Sequence, residues 1–448
     1  MISIPLQLLS GVYPGAGLRR GGLGLLLACL LLLPGCGGSS APEGRTVIRL
    51  STWGTAEEMG VLKDLLHRFE AKNPDVAVDV IHIPENYYQK LHILVAGGLA
   101  PDVIFTNSIQ FPVYARHGVF RDLTPFLNHT SELSRTDFYE GALKAFTWHN
   151  AQGEPSLQAI PRDISNLVVY YNKSLFQAGS IPLPKTGWTW DDFLDTAQAV
   201  MLANKQGGRM PVFGVSFSRE PLYWMPFVWS AGGDFFSGDY SRFALDEPRA
   251  LEALRYYADL RTKYHVAPRQ NESGGIPMSQ LFLNGKLGML IDGRWRVPIF
   301  REQATFDWDV APLPVGPSGE SRVGIDASGY AMSSGTTHPE ESFRLIRFLS
   351  SAKANARFAA SGLIVPARKD VATSEDFLSP GRRPVHSSVF LDVIEFGVPT
   401  RTPPRWNEIS EVVKLALDKV WEGADTPAEA LQPVAPAVNR ILDRSRER

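Results

Sequence analysis

Apolar positions near the start of the chain recur with two different periods. Thr46 to Trp53 is β-branched and apolar and predicts a strand. Thr55 and Glu58 then stand at capping-box spacing, and Leu62, Leu65, Leu66 and Phe69 return at helical intervals until Asn73-Pro74. Val76 to Ile83 predicts a second strand, Tyr87 to Ala96 a second helix and, past Gly97-Gly98, Asp102 to Phe105 a third strand. This β-α-β-α-β order implies a parallel, doubly wound sheet with right-handed crossovers. Ligands of such sheets lie beyond the carboxyl ends of the strands. Those ends are Trp53-Gly54-Thr55 with Glu57 close by, Pro84-Glu85, and Thr106-Asn107-Ser108.

Phe111 to Asn128 predicts a helix and turn leading to a crossing near Leu123-Thr124-Pro125. The run Leu167 to Tyr171 is continuously apolar and predicts a strand buried on both faces, with Asp163, Ser165 and Asn166 held at its mouth. A helix follows from Asp191 to Met201, then a loop at Gly207-Gly208 and a strand from Phe213 to Phe217. Tyr223 to Phe236 is dense in aromatics, with Trp224, Trp229 and the break Gly232-Gly233-Asp234. Glu247 to Tyr264 predicts a helix. Leu287 to Ile291 predicts another buried strand, delivering Asp292-Gly293-Arg294-Trp295. Phe306 to Val310 and Gly324 to Met332 complete the strands, and Thr337 with Glu340 predicts a capped helix. After Arg405-Trp406-Asn407, an amphipathic helix runs on Ile409, Val412, Val413, Ala416 and Val420, and Thr426 to Glu429 opens the last one.

The order Pro161, a polar cluster from Asp163 to Asn166, Tyr171-Asn172-Lys173 and Thr189-Trp190 resembles the extracellular solute-binding proteins of ATP-driven sugar importers, the family of maltose-binding protein. Gly293-Arg294-Trp295 is similar to that family's glycine-x-tryptophan ending, and the likeness spans roughly Val47 to Leu442. It implies an α/β fold of two discontinuous lobes, each a mainly parallel sheet flanked by helices, joined by a hinge near Leu123 to Asn128, Asp292 to Val297 and Met332 to Thr337. Residues 46–125 and 297–332 would form the first lobe, and 126–296 and 333–448 the second. Maltose binders tend to carry a pocket carboxylate where this chain has Ser165, so the ligand's identity stays open. The resemblance also implies a monomer that serves a membrane permease.

The N-terminus changes the picture of where the chain works. Arg19-Arg20, the apolar run Leu23 to Leu33 and Leu33-Pro34-Gly35-Cys36 describe a secretory leader over residues 1–35, too short in its apolar part to span a membrane. Ending on Cys36, it resembles a bacterial lipoprotein signal, with Cys36 as the acylated first mature residue and 36–45 as a flexible tether. Without Arg19 and Arg20, the 45 basic residues fall two short of that number against 47 acidic ones, a net charge of −4. Only Cys36 would survive of two cysteines, so no internal disulfide can form, and no basic face points to nucleic acid.

Enzyme signatures are missing from the sequence. Gly214-Val215-Ser216-Phe217 runs into Ser218 rather than a second glycine, no H-E-x-x-H occurs, and Gly285-Lys286 lacks the frame of a phosphate loop. Neither a cofactor nor a metal is implied. What stands out instead is tryptophan at element ends: Trp53, Trp224, Trp229, Trp295 and Trp406, whose faces suit sugar C–H surfaces while carboxylates and amides hold hydroxyls. Trp148, Trp188, Trp190, Trp308 and Trp421 read as packing. The candidate ligand-binding set is Trp53, Thr55, Glu57, Asn107, Ser108, Asp163, Ser165, Asn166, Trp224, Trp229, Gly233, Asp234, Arg294, Trp295, Arg405 and Trp406. Arg162, Arg294 and Arg405 would suit a phosphate, so a polyol-phosphate receptor remains an alternative to a sugar receptor, and a secreted carbohydrate-cleaving lipoprotein a more distant one.

Overall fold

The computed structural model describes residues 44–150, 152–205, 211–400 and 402–446. The leader, Cys36, most of the tether and the Gly207-Gly208 loop lie outside them. Residues 45–448 form one compact unit. Its strands, in chain order, are β1 (Thr46–Thr52), β2 (Val76–His82), β3 (Val103–Asn107), β4 (Thr147–His149), β5 (Pro155–Leu157), β6 (Ala159–Ser165), β7 (Leu167–Asn172), β8 (Phe213–Val215), β9 (Leu287–Gly293), β10 (Trp308–Ala311), β11 (Val323–Met332), β12 (Val365–Pro366) and β13 (Gly397–Pro399).

Two large sheets take up all of these strands except the β4–β5 hairpin, and define two lobes. The first runs β12-β6-β11-β3-β1-β2, with β13 beside β11, and the second runs β10-β7-β9-β8. The opening β-α-β-α-β unit is as the periodicity predicts: β1 pairs in parallel with β2 from Thr46↔Val76 to Thr52↔His82, and with β3 on its other side. Beyond it the expectation of mainly parallel sheets fails. β11 is antiparallel to β3 and β6, and in the second sheet β7 is antiparallel to both β9 and β10, leaving only β8 and β9 parallel. The reason is connectivity: β7 arrives straight from β6 in the other sheet rather than through a helical crossover, so nothing forces it to run with its neighbours.

The sheets also cut the chain at places other than the ends of the expected lobe spans. β6 lies in the first sheet although residues 126–296 were assigned to the second lobe, and β10 lies in the second although 297–332 were assigned to the first. Leu123–Asn128 changes no sheet: it lies between β3 of the first sheet and the β4–β5 hairpin, to whose Leu157 Leu123 donates its N–H. Ser333 and Thr336 both bond to Asp102, so Met332 to Thr337 stays with that sheet as well. Asp292 to Val297 leads from β9 through helix Val297–Gln303 to β10, within the second sheet's own sequence. The chain instead changes sheets at Asn166, the single residue between β6 and β7, and again between β10 and β11.

β7 is buried along its whole length, as its apolar run dictates. Among the helix starts, Thr189 with Asp192 and Thr426 with Glu429 close reciprocal capping boxes. Helix Pro339–Leu349 starts on His338 without a side-chain cap, not on Thr337, since Pro339 takes the first helical position. Among the described residues no helix is long and apolar enough to cross a membrane.

Candidate functional site

An aromatic-lined cavity of about 470 Å³ is built around the start of β11. On one side stands helix Pro221–Ser230, whose Trp229 donates Nε1–H to Asp234 at 2.9 Å. Gly324 on β11 lets that indole lie on the strand, since a Cβ there would meet its ring at 3.2 Å. Trp406 closes another wall, edge-on to Phe235 with ring centres 5.0 Å apart. Asp326 forms part of the floor and is 6% exposed. Burial pushes its carboxyl up to about 6, against the opposing hydrogen bonds of Thr400 and Ser108. Glu220, Asp234 and Asp326 are the charged groups of this cavity, and no lysine or arginine is among the described residues lining it.

A smaller cavity of about 150 Å³ opens two residues further along the same ladder, where Ser328 faces Asp163 just as Asp326 faces Ser165. Trp53, Ser165, Asn166, Arg294 and Trp295 line it together with Glu58 and Arg162. Arg162 pairs with Glu58 and Asp163, both at 2.6 Å, while its guanidinium lies over the rings of Phe105 and Phe358. Burial pulls that guanidinium's pKa down, yet the two carboxylates hold it above the ordinary arginine value. Burial pushes Asp163 up in spite of Arg162. Asn166 donates to the Phe390 carbonyl at 2.7 Å, which ties the sheet crossing to the C-terminal region. Arg294 stacks on Phe377, with the cation 4.0 Å from the ring centre, and donates to its carbonyl. Burial pulls Arg294 down to about 9.

The candidate residues therefore separate into groups. Trp229, Asp234 and Trp406 meet in the larger cavity, and Trp53, Asp163, Ser165, Asn166, Arg294 and Trp295 in the smaller one. Ser108 joins them indirectly, with its hydroxyl 3.4 Å from Asp326. Trp224 does not belong: it is 1% exposed, packed on Trp421 and Phe235, with its Nε1–H given to the Arg219 carbonyl. Gly233 instead lies against Ala250, where an added Cβ would come within 2.9 Å of backbone nitrogen. Arg405 is paired with Glu408. Thr55 is an exposed N-cap, Glu57 an exposed first-turn residue, and Asn107 turns its Oδ1 to the N–H of Gln110; none of the three lines either cavity.

Several residues escaped the sequence reading. Glu58 looked like half of a capping box, and its buried partner lies 104 positions away. Asp326 sits inside an apolar strand pattern, where a lone acid was itself a signal. Tyr240 lines the larger cavity from a loop that carries no period at all, beyond the aromatic-dense stretch that brings Phe235 and Phe236 there. Among the described residues no cluster of His, Cys, Asp and Glu could hold a metal ion.

Two α/β lobes whose sheets are linked at Asn166 and again between β10 and β11, with an aromatic and acidic cavity at the start of β11, define a cleft-type solute receptor. The profile of the bacterial extracellular solute-binding proteins matches residues 53–356, and the chain belongs to that family. A curated relative, the galactooligosaccharide-binding protein of Bacillus subtilis, is 24% identical over 428 residues, covering 92% of this chain and 94% of its own. An ABC substrate-binding protein of Listeria monocytogenes, solved in complex with cycloalternan, superposes with a TM-score of 0.81 at 26% identity, over 89% of this chain and 99% of that one. The fold is also similar to that of UgpB from Mycobacterium tuberculosis, solved with glycerophosphocholine, at a TM-score of 0.77 and 18% identity over 90% and 99% of the two chains.

Proposed function

We propose that this protein is the extracytoplasmic substrate-binding component of an ABC importer, which takes a neutral sugar or oligosaccharide between its lobes and hands it unchanged to the membrane permease. The observation that carries this reading is the composition of the larger cavity: Trp229, Tyr240 and Trp406 with three carboxylates and no cation among its described lining residues. Aromatic faces accept the C–H faces of a pyranose, and carboxylates accept its hydroxyl hydrogens. The same set would repel a phosphate, which weighs against a polyol-phosphate ligand in that cavity. The galactooligosaccharide and cycloalternan named for two similar proteins support the sugar class. A thermal-shift screen with mono-, di- and oligosaccharides and glycerophosphodiesters tests it, since only a ligand of the native state raises the midpoint. Shifts confined to the phosphate compounds would replace the sugar reading by the other.

Acylation of Cys36 would hold this receptor at the outer face of the membrane, where the permease works. Cys36→Ser should then abolish detergent partitioning with the membrane fraction. A Ser variant that still partitions after removal of the leader would refute the anchor.

A further inference from the structure

We propose that the ligand is an oligosaccharide rather than a mono- or disaccharide, with its distal units held in a second cavity floored by Trp148; this rests on the sugar reading above. A cavity of about 610 Å³ adjoins the first and shares Tyr240, Pro399 and Thr400 with it. Each alone falls within the ~300–1,000 Å³ of an ordinary ligand pocket. A compact ligand can fill one of them, whereas only a chain can fill both through their common neck. The second cavity, like the first, sets apolar faces beside polar groups, and adds Lys144 and His149 to its lining. Trp148, Pro403 and Pro404 offer apolar faces, and Ser108, Thr402 and Asp239 offer polar groups at its walls.

Two further features point the same way. Trp148 lies on the β4–β5 hairpin, opposite Ser156, and that hairpin belongs to neither large sheet. Its indole packs on the core at one side, yet stays half-buried and lines the second cavity, unlike Trp188, Trp308 and Trp421, which are at most 3% exposed. Tyr240, at the neck, has a backbone φ of 57°. That left-handed conformation is uncommon for a bulky residue, and glycine would hold it without strain. A tyrosine kept where glycine is easier indicates that its ring is needed at the junction.

Calorimetric titration with malto- and galacto-oligosaccharides of two to five units decides the matter, read as the ratio of pentasaccharide to disaccharide affinity. In the unaltered protein the ratio should rise with chain length in whichever series binds. Trp148→Ala should lower it by up to roughly tenfold, the scale of one lost aromatic contact. Tyr240→Gly should lower it too, while its unfolding midpoint stays level or rises as strain is relieved. A ratio near one in the unaltered protein, with disaccharides bound tightly, overturns the proposal and leaves the sugar reading standing. So does a ratio unchanged in both variants. Absence of binding at every length sinks both.

Discussion

Asp326 is a buried titratable group on the wall of the larger cavity. Its folded pKa of about 6 stands above an unfolded value near 3.9, so the native state binds the proton more tightly. Stability from this group is full below about pH 4, is lost as pH rises toward 6, and is flat beyond, a change of roughly 2–3 kcal/mol. Asp326→Asn should therefore gain stability relative to the unaltered protein across that window and hold the gain at pH 7. Urea unfolding of both proteins at pH 4, 5, 6 and 7 measures it; a difference that is constant with pH would mean the carboxyl is solvated. The tryptophans divide at the same scale. Trp224→Ala should cost about 3–5 kcal/mol of stability, as for a filled core site. Trp406→Ala and Trp295→Ala should spare the fold and weaken sugar binding by roughly 1–3 kcal/mol each. Stability loss with retained affinity would remove Trp406 or Trp295 from the site. Sequence could not separate Trp224 from Trp229, because helix Pro221–Ser230 is apolar nearly all round and offers no polar face to orient it.

At the scale of elements, local pattern was read well wherever a local partner decides the outcome. Thr426 closes the capping box its spacing predicts, and Tyr87–Ala96 keeps its predicted bounds. Helix Ala56–Lys72 departs from its pattern: Thr55 accepts the Glu58 N–H, but the Glu58 carboxylate goes to Arg162 on β6. That long-range pair fastens the helix's first turn to the strand that leads into the sheet crossing. Arg162→Met would leave Glu58 and Asp163 buried without a cation, for an expected loss of about 3–5 kcal/mol. Thr55→Ala, which removes only the cap, should cost about 1 kcal/mol. Equal effects in chemical denaturation would show that the triad is no more than a cap. Strand direction in the second sheet was illegible for a related reason. An apolar run such as Leu167 to Tyr171 fixes burial on both faces, while its neighbours' direction depends on a crossing at Asn166 that no glycine or proline marks.

For the whole molecule, the expected hinge moves with the crossings. Only Asn166 separates β6 from β7, and its side chain is held by the Phe390 carbonyl, so rotation there is confined to a few backbone angles next to the smaller cavity. The larger cavity draws Asp326 and Ile109 from the first sheet and its following turn, and Trp229, Asp234 and Trp406 from elements around the second. A ligand touching both sides binds a closed arrangement better than an open one, and that difference in affinity is what drives closure. Saturating oligosaccharide should therefore reduce the radius of gyration in solution scattering. Asn166→Asp, which replaces the donor to Phe390 by a buried carboxylate, should shrink that ligand-induced difference or abolish it. The scattering curves of the apo and saturated protein superposing, with calorimetry reporting tight binding in the same sample, would mean that the cleft is preformed and that the crossing at Asn166 serves as a rigid strut.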